Sequence, residues 1–183
     1  MAKSTQQARD PDPAKARIVL GHGASGTAAT MGPYVEGLRA RGVLARAVDL
    51  PRSRPEAAVA IFLDAAAADP GLALGGHSFG GRMASLAAAR RAIPALVLFS
   101  YPLHRPGQPD PGPRTAHWPA IACPVLLLSG DRDPFARVDL LEAALAALPD
   151  GRLVVFPGAG HGLGGHLAEA LDIAAAFLVT RAG

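Results

Sequence analysis

The chain has 183 residues, half of them hydrophobic, with a formal charge of +3 and a single cysteine. That length suits one domain able to bury roughly 70% of the surface its unfolded form exposes, and one cysteine excludes an intramolecular disulfide. No apolar run approaches the roughly 20 residues of a transmembrane helix, and scattered arginines with 5% aromatic residues exclude the clustered basic surface of a nucleic-acid binder.

The opening MAKSTQQARDPDPAK lacks the apolar core of a secretory leader, and Pro11 and Pro13 turn the aspartates before them away from helix. Residues 1–14 therefore read as a disordered tail, 15–183 as the folded domain, and the location as cytoplasmic. A first buried strand is expected over Arg17–Leu20, followed by Gly21-His22-Gly23-Ala24-Ser25-Gly26. This loop supports two readings. With Asp49 ending the next strand it matches a dinucleotide fingerprint, in which glycines admit a pyrophosphate and the carboxylate takes a ribose hydroxyl. Equally, a His-Gly loop after a strand can present the backbone N–H of Ala24 or Ser25 to an oxyanion, with His22 as a structural hydrogen-bonding residue.

A helix over Tyr34–Arg41 leads to a second strand, Leu44–Leu50, and the Arg-rich Pro51–Glu56 reads as a solvated loop before a helix over Glu56–Ala68. The third strand, Leu72–Gly75, runs into Gly76-His77-Ser78-Phe79-Gly80 and a helix over Phe79–Arg91. A strand, a serine flanked by glycines and a helix make a nucleophile elbow, a strained turn that lifts the serine hydroxyl above the sheet. Ser78 is the candidate nucleophile, the Phe79 N–H a second oxyanion donor, and His77 is expected to turn away. A dinucleotide-binding domain has no need of such an elbow.

The fourth strand, Ala95–Ser100, opens into an irregular Pro- and Gly-rich stretch, Pro102 to Pro119, where larger enzymes insert a lid. His104 and Arg105 at its start, with Arg82 one turn into the preceding helix, are candidate substrate contacts, since an arginine fork can hold a carboxylate. Trp118 can either cover the pocket or pack the stretch, and Cys123 reads as a core residue. The fifth strand, Val125–Ser129, is followed by Gly-Asp-Arg-Asp-Pro, a helix over Phe135–Leu148 and a sixth strand, Leu153–Phe156. Then come Pro-Gly-Ala-Gly-His-Gly and a last helix over Leu167–Thr180, which His166 begins.

Serine needs a base, and the base a carboxylate to hold its tautomer. Asp133 and His161 fall on successive strand-exit loops in the order Ser, Asp, His. Asp133 is preferred over Asp131, which is expected to stabilise its own turn; Asp133 can also act as a helix N-cap. No histidine has metal-ligand spacing, so neither a metal nor a cofactor is expected. Alternating strands and helices predict a three-layer α/β sandwich with a mainly parallel six-stranded sheet, helices on both faces, and catalytic groups at the strands' C-terminal ends.

HGAS at His22–Ser25, GHSFGG at Gly76–Gly81, SGDRDPF at Ser129–Phe135 and GAGHG at Gly158–Gly162 resemble the α/β-hydrolase superfamily over nearly all of Arg17 to Thr180. YPLH at Tyr101–His104 and DPFA at Asp133–Ala136 are more narrowly similar to a small dienelactone-hydrolase-like branch related to a subunit of the human non-specific-lethal chromatin complex. The resemblance implies a minimal, lidless α/β-hydrolase fold, with Ser78, Asp133 and His161 as nucleophile, acid and base. It also implies hydrolysis of a small ester, thioester or related acyl substrate. The alternatives are an inactive interaction protein that keeps the fold, and a nucleotide-binding module built on Gly21–Gly26 and Asp49.

Overall fold

The computed structural model describes residues 16–108, 110 and 112–181; the tail expected over residues 1–14 lies outside the described residues. Six strands form one sheet: β1 Arg17–Gly21, β2 Leu44–Val48, β3 Leu72–His77, β4 Leu96–Phe99, β5 Val125–Gly130 and β6 Gly151–Phe156. Their order is β2-β1-β3-β4-β5-β6, and every neighbouring pair is parallel. The helices are α1 Gly32–Ala40, α2 Pro55–Ala68, α3 Phe79–Ala88, the single turn α4 Gly112–Thr115, α5 Val138–Leu145 and α6 Leu167–Val179.

Strand side chains alternate between two cores, as a two-sided sheet requires. Val19, Leu72, Leu74, Val125 and Leu127 pack with Val59 and Phe62 of α2, Met83 of α3 and Leu141 of α5. Ile18, Leu20, Val97, Leu126 and Leu128 face the opposite way, onto Tyr34 and Leu38 of α1 and Leu171, Ala174 and Leu178 of α6. The result is the expected three-layer sandwich.

The chain leaves β1 for β2 on one side and returns past β1 to β3 on the other. Strand order reverses there, and the crevice outside the C-terminal ends of β1 and β3 is where such sheets bind ligands. Close packing at this point depends on Gly80: a Cβ there would fall on the backbone of Gly21. The start of α3 thereby lies against the end of β1, and Ser78 beside the Gly21–Gly26 loop.

Several elements are shorter than their apolar patterns. β2 stops at Val48 because the Leu50 N–H is taken by Nε2 of His22 and Asp49 accepts from the Ala28 N–H. The helix expected from Phe135 begins at Val138, since the Phe135 carbonyl accepts from His104 N–H and the Arg137 N–H donates to His104 Nε2. Among the described residues no helix is long and apolar enough to cross a membrane.

Candidate active site

Ser78 occupies the one-residue joint between β3 and α3 with φ 52° and ψ −116°, a left-handed backbone unusual for a residue with a side chain. The joint is fixed at both ends, Ser78 N–H donating to Phe99 O at 2.9 Å and Arg82 N–H donating to Ser78 O at 3.0 Å. The hydroxyl lies 2.8 Å from Nε2 of His161, whose Nδ1 lies 2.8 Å from Oδ2 of Asp133. The three residues chosen from sequence therefore meet in one hydrogen-bond series, with the Asp133 side chain fully buried and that of His161 23% exposed.

The acid is anchored from its other oxygen. Asp133 Oδ1 accepts from the Phe135 N–H at 2.8 Å, so the carboxylate closes its own turn while facing the imidazole. It does not cap α5, which starts five residues later. Asp131 reaches across to the next loop and accepts from Gly158 N–H at 2.7 Å, not within its own turn. A further bond, Arg132 N–H to Ala159 O at 2.9 Å, ties the Asp133 loop to the His161 loop, and Gly130 permits the contact because a Cβ there would meet the Ala159 backbone.

The His161 ring is flanked by Phe135 at 4.6 Å and His77 at 5.0 Å between centroids. His77 is not turned away: its Nε2–H donates to the His161 carbonyl at 2.9 Å, and burial lowers its pKa from the ordinary value, keeping the ring neutral. Sequence reasoning missed this positioning contact, which depends on the distance between two loops and has no local signature.

On the opposite side, the His22 ring is buried and neutral in a fixed tautomer. Its Nε2 accepts from Leu50 N–H, so Nδ1 carries the proton and donates to Gly23 O at 2.8 Å. Gly26 N–H donates to the same carbonyl at 2.9 Å. A trans peptide sets carbonyl and N–H on opposite sides, so pinning Gly23 O directs the Ala24 N–H away from His22. Arg52, from the Arg-rich loop, holds Ala24 O at 2.8 Å. Among the described residues the N–H groups of Ala24, Ser25 and Phe79 take no acceptor from the protein. Asp49, the carboxylate of the nucleotide reading, is spent on the Ala28 N–H at 2.7 Å.

These groups line a cleft of about 700 Å³. Its lining includes the Gly23–Gly26 loop, Thr30, Met31, Tyr34, His77, Phe79, Arg82, Pro102, Arg114, Phe135 and Gly162 together with Ser78 and His161. Of the three residues expected to contact substrate, only Arg82 reaches the cleft. His104 is buried, its Nδ1–H donating to Arg105 O and its Nε2 accepting from Arg137 N–H; it clamps the stretch after β4 to the Asp133 loop. Arg105 is exposed, on a two-residue bridge with Gln108. Arg114, which no sequence signal singled out, lines the cleft in its place.

Trp118 is fully buried against Tyr101 at 5.3 Å, away from the cleft. Cys123 is buried, and burial pushes its thiol up to about 11, so it stays protonated. His166 stands at the start of α6. Among the described residues no three His, Cys, Asp or Glu are grouped as a metal site.

Residues 46–171, more than half of the chain, match the family model described as Alpha/beta hydrolase domain. In structure the chain is similar to the monoacylglycerol lipase of Paleococcus ferrophilus, at 19% identity and a TM-score of 0.79, covering 90% of this chain and 94% of the other. It is also similar to Est1E of Butyrivibrio proteoclasticus with ferulic acid bound, at 19% identity and 0.77, covering 93% and 91%. A third similar structure is the propionate-bound esterase Est2 of the planctomycete Thermogutta terrifontis, at 24% and 0.71, covering 94% and 86%. No curated protein matches the chain in sequence.

Proposed function

Because the chain belongs to the α/β-hydrolase domain family, we propose that it is a serine hydrolase of small esters, thioesters or related acyl compounds. The observation behind this reading is the continuous series Asp133–His161–Ser78, each step 2.8 Å. His161 Nε2 removes the hydroxyl proton as Ser78 Oγ attacks the acyl carbonyl, and Asp133 stabilises the imidazolium through Nδ1–H. The carbonyl oxygen, now negative, lies between the N–H groups of Phe79 and Ala24, with Ser25 beside them. The peptide orientation imposed by His22 favours Ala24 as the donor. Each such donor is worth about 2.7–4 kcal/mol in the transition state.

His161 then passes its proton to the departing alcohol or thiol, the acyl group stays on Ser78, and water deprotonated by His161 releases the acid and restores the hydroxyl. A cleft of about 700 Å³ with only a short stretch after β4 where larger enzymes insert a lid suits a small substrate better than a long lipid chain. The YPLH and DPFA segments, which carry the narrower likeness to the dienelactone-hydrolase-like branch, bond to each other through His104 and Phe135, in keeping with that placement. A lone buried thiol suits a cytoplasmic setting.

The direct test is covalent labelling by a fluorophosphonate. Ser78 should be modified stoichiometrically, and S78A should lose both the label and at least about 10⁴-fold of ester turnover. Folded protein that refuses the label would refute the hydrolase reading and favour an inactive interaction protein.

A further inference from the structure

Among the described residues, the wall of the cleft formed by α3 and the stretch after β4 holds two guanidinium groups and no carboxylate. Arg82 and Arg114 both line it, and none of the residues lining it is Asp or Glu. Among the described residues the buried Arg82 Nε has no hydrogen-bond partner, and no ion pair or side-chain hydrogen bond engages the rest of its fork. Arg114 donates from Nη1 to the carbonyls of Pro102 and His104, which orients the group without neutralising it.

The neighbourhood registers this charge. Burial lowers the pKa of Arg114, and Arg82 and Arg105 depress it further. The His117 ring is held down at about 4 by burial and by Arg82 and Arg90. Both arginines are partly withdrawn from water, and a cation so placed is ordinarily balanced by an anion, because desolvation without one is costly. Among the described residues no carboxylate supplies it on this wall.

From the unpaired fork of Arg82 beside Arg114, we infer that the substrate brings the anion: the enzyme acts on esters whose short acyl chain ends in a carboxylate. This rests on the hydrolase reading and adds a substrate class to it. Arg82 N–H donates to Ser78 O at 3.0 Å, which sets the two residues one turn apart, and both line the cleft. An anion on its fork is thus a few bonds from the carbonyl that Ser78 attacks, and a guanidinium can take both carboxylate oxygens at once.

The test compares ethanol release from monoethyl glutarate and from ethyl valerate, which has a methyl group in place of the carboxylate. The anionic ester should have the higher kcat/KM by about 10-fold or more at low salt, the advantage shrinking in 0.5 M salt as screening shortens to about 4 Å. R82Q should bring the ratio of the two towards one, chiefly through KM for the anionic ester, while R82K, with charge but no fork, should retain part of it. Monoethyl glutarate should also slow fluorophosphonate labelling of Ser78 at concentrations where ethyl valerate does not, and R82Q should abolish that protection.

Equal kcat/KM for the two esters in the unmodified enzyme, or equal loss of both in R82Q, overturns the anionic substrate and leaves the hydrolase reading intact if Ser78 is labelled. Absence of both label and turnover overturns the two together.

Discussion

Asp133 holds two partners at once, and substitutions can separate its two roles. Asparagine keeps an oxygen for the Phe135 N–H but stabilises the wrong histidine tautomer; D133N should lose about 10⁴-fold in kcat with little change in melting temperature. Alanine removes the acceptor as well, leaving a donor unpaired, so D133A should also lose about 1–3 kcal/mol of stability. Denaturant titration beside steady-state kinetics checks both, and equal stability of the two variants would contradict the bond to Phe135. At this scale the meeting of Ser78, Asp133 and His161 was legible in sequence because each lies on the loop that leaves a parallel strand at the same edge of the sheet. His104 was misread for an equally physical reason. A strand exit brings a backbone to the cleft, but whether a side chain enters it depends on which polar groups claim it, and here two backbone groups did.

Among the elements, α3 depends on a missing side chain. G80A would drive a methyl group into the Gly21 backbone; parting α3 from β1 should cost about 1–3 kcal/mol and misplace both Ser78 and the Gly21–Gly26 loop. The expected outcome is a lower denaturant midpoint and an activity loss larger than the stability loss explains. Strands and helices were readable from periodicity, their ends less so. Leu50 continues the pattern of β2 and Phe135 that of α5, yet His22 and His104 draw off the hydrogen bonds that would have extended them. Conversely, β6 begins at Gly151 and Arg152, which look nothing like a strand alone but pair with Val125 and Leu126.

For the molecule as a whole, two partly buried histidines lower stability in acid. His117, whose ring donates to Ser85 Oγ, is held down to about 4 from 6.5, chiefly by burial, and His77 is lowered for the same first reason. The unfolded chain therefore binds more protons than the folded one in this window, and stability rises with pH from about 4 to about 6.5. Because His117 is half-exposed, its share is discounted for screening to the order of 1 kcal/mol, a fall in melting temperature of about 2–4 °C from pH 7 to pH 5. H117Q should flatten part of that dependence; an unchanged slope would locate it elsewhere. The layered architecture was legible because all-parallel connections bring every strand exit to one edge. The arginine pair was not, since Arg114 lies in a Pro- and Gly-rich stretch whose path follows no periodicity.

Each link from Phe135 N–H through Asp133 and His161 to Ser78 is supplied by the protein's own groups, with His77 bracing the far side of the base. On the proposed hydrolase reading, the entropy of aligning acid, base and nucleophile is thus lost during folding and not during turnover. The proposed reaction would start from a preorganised state. Mutations that loosen the three loops should then appear as a more unfavourable activation entropy, even where every reacting group is still present.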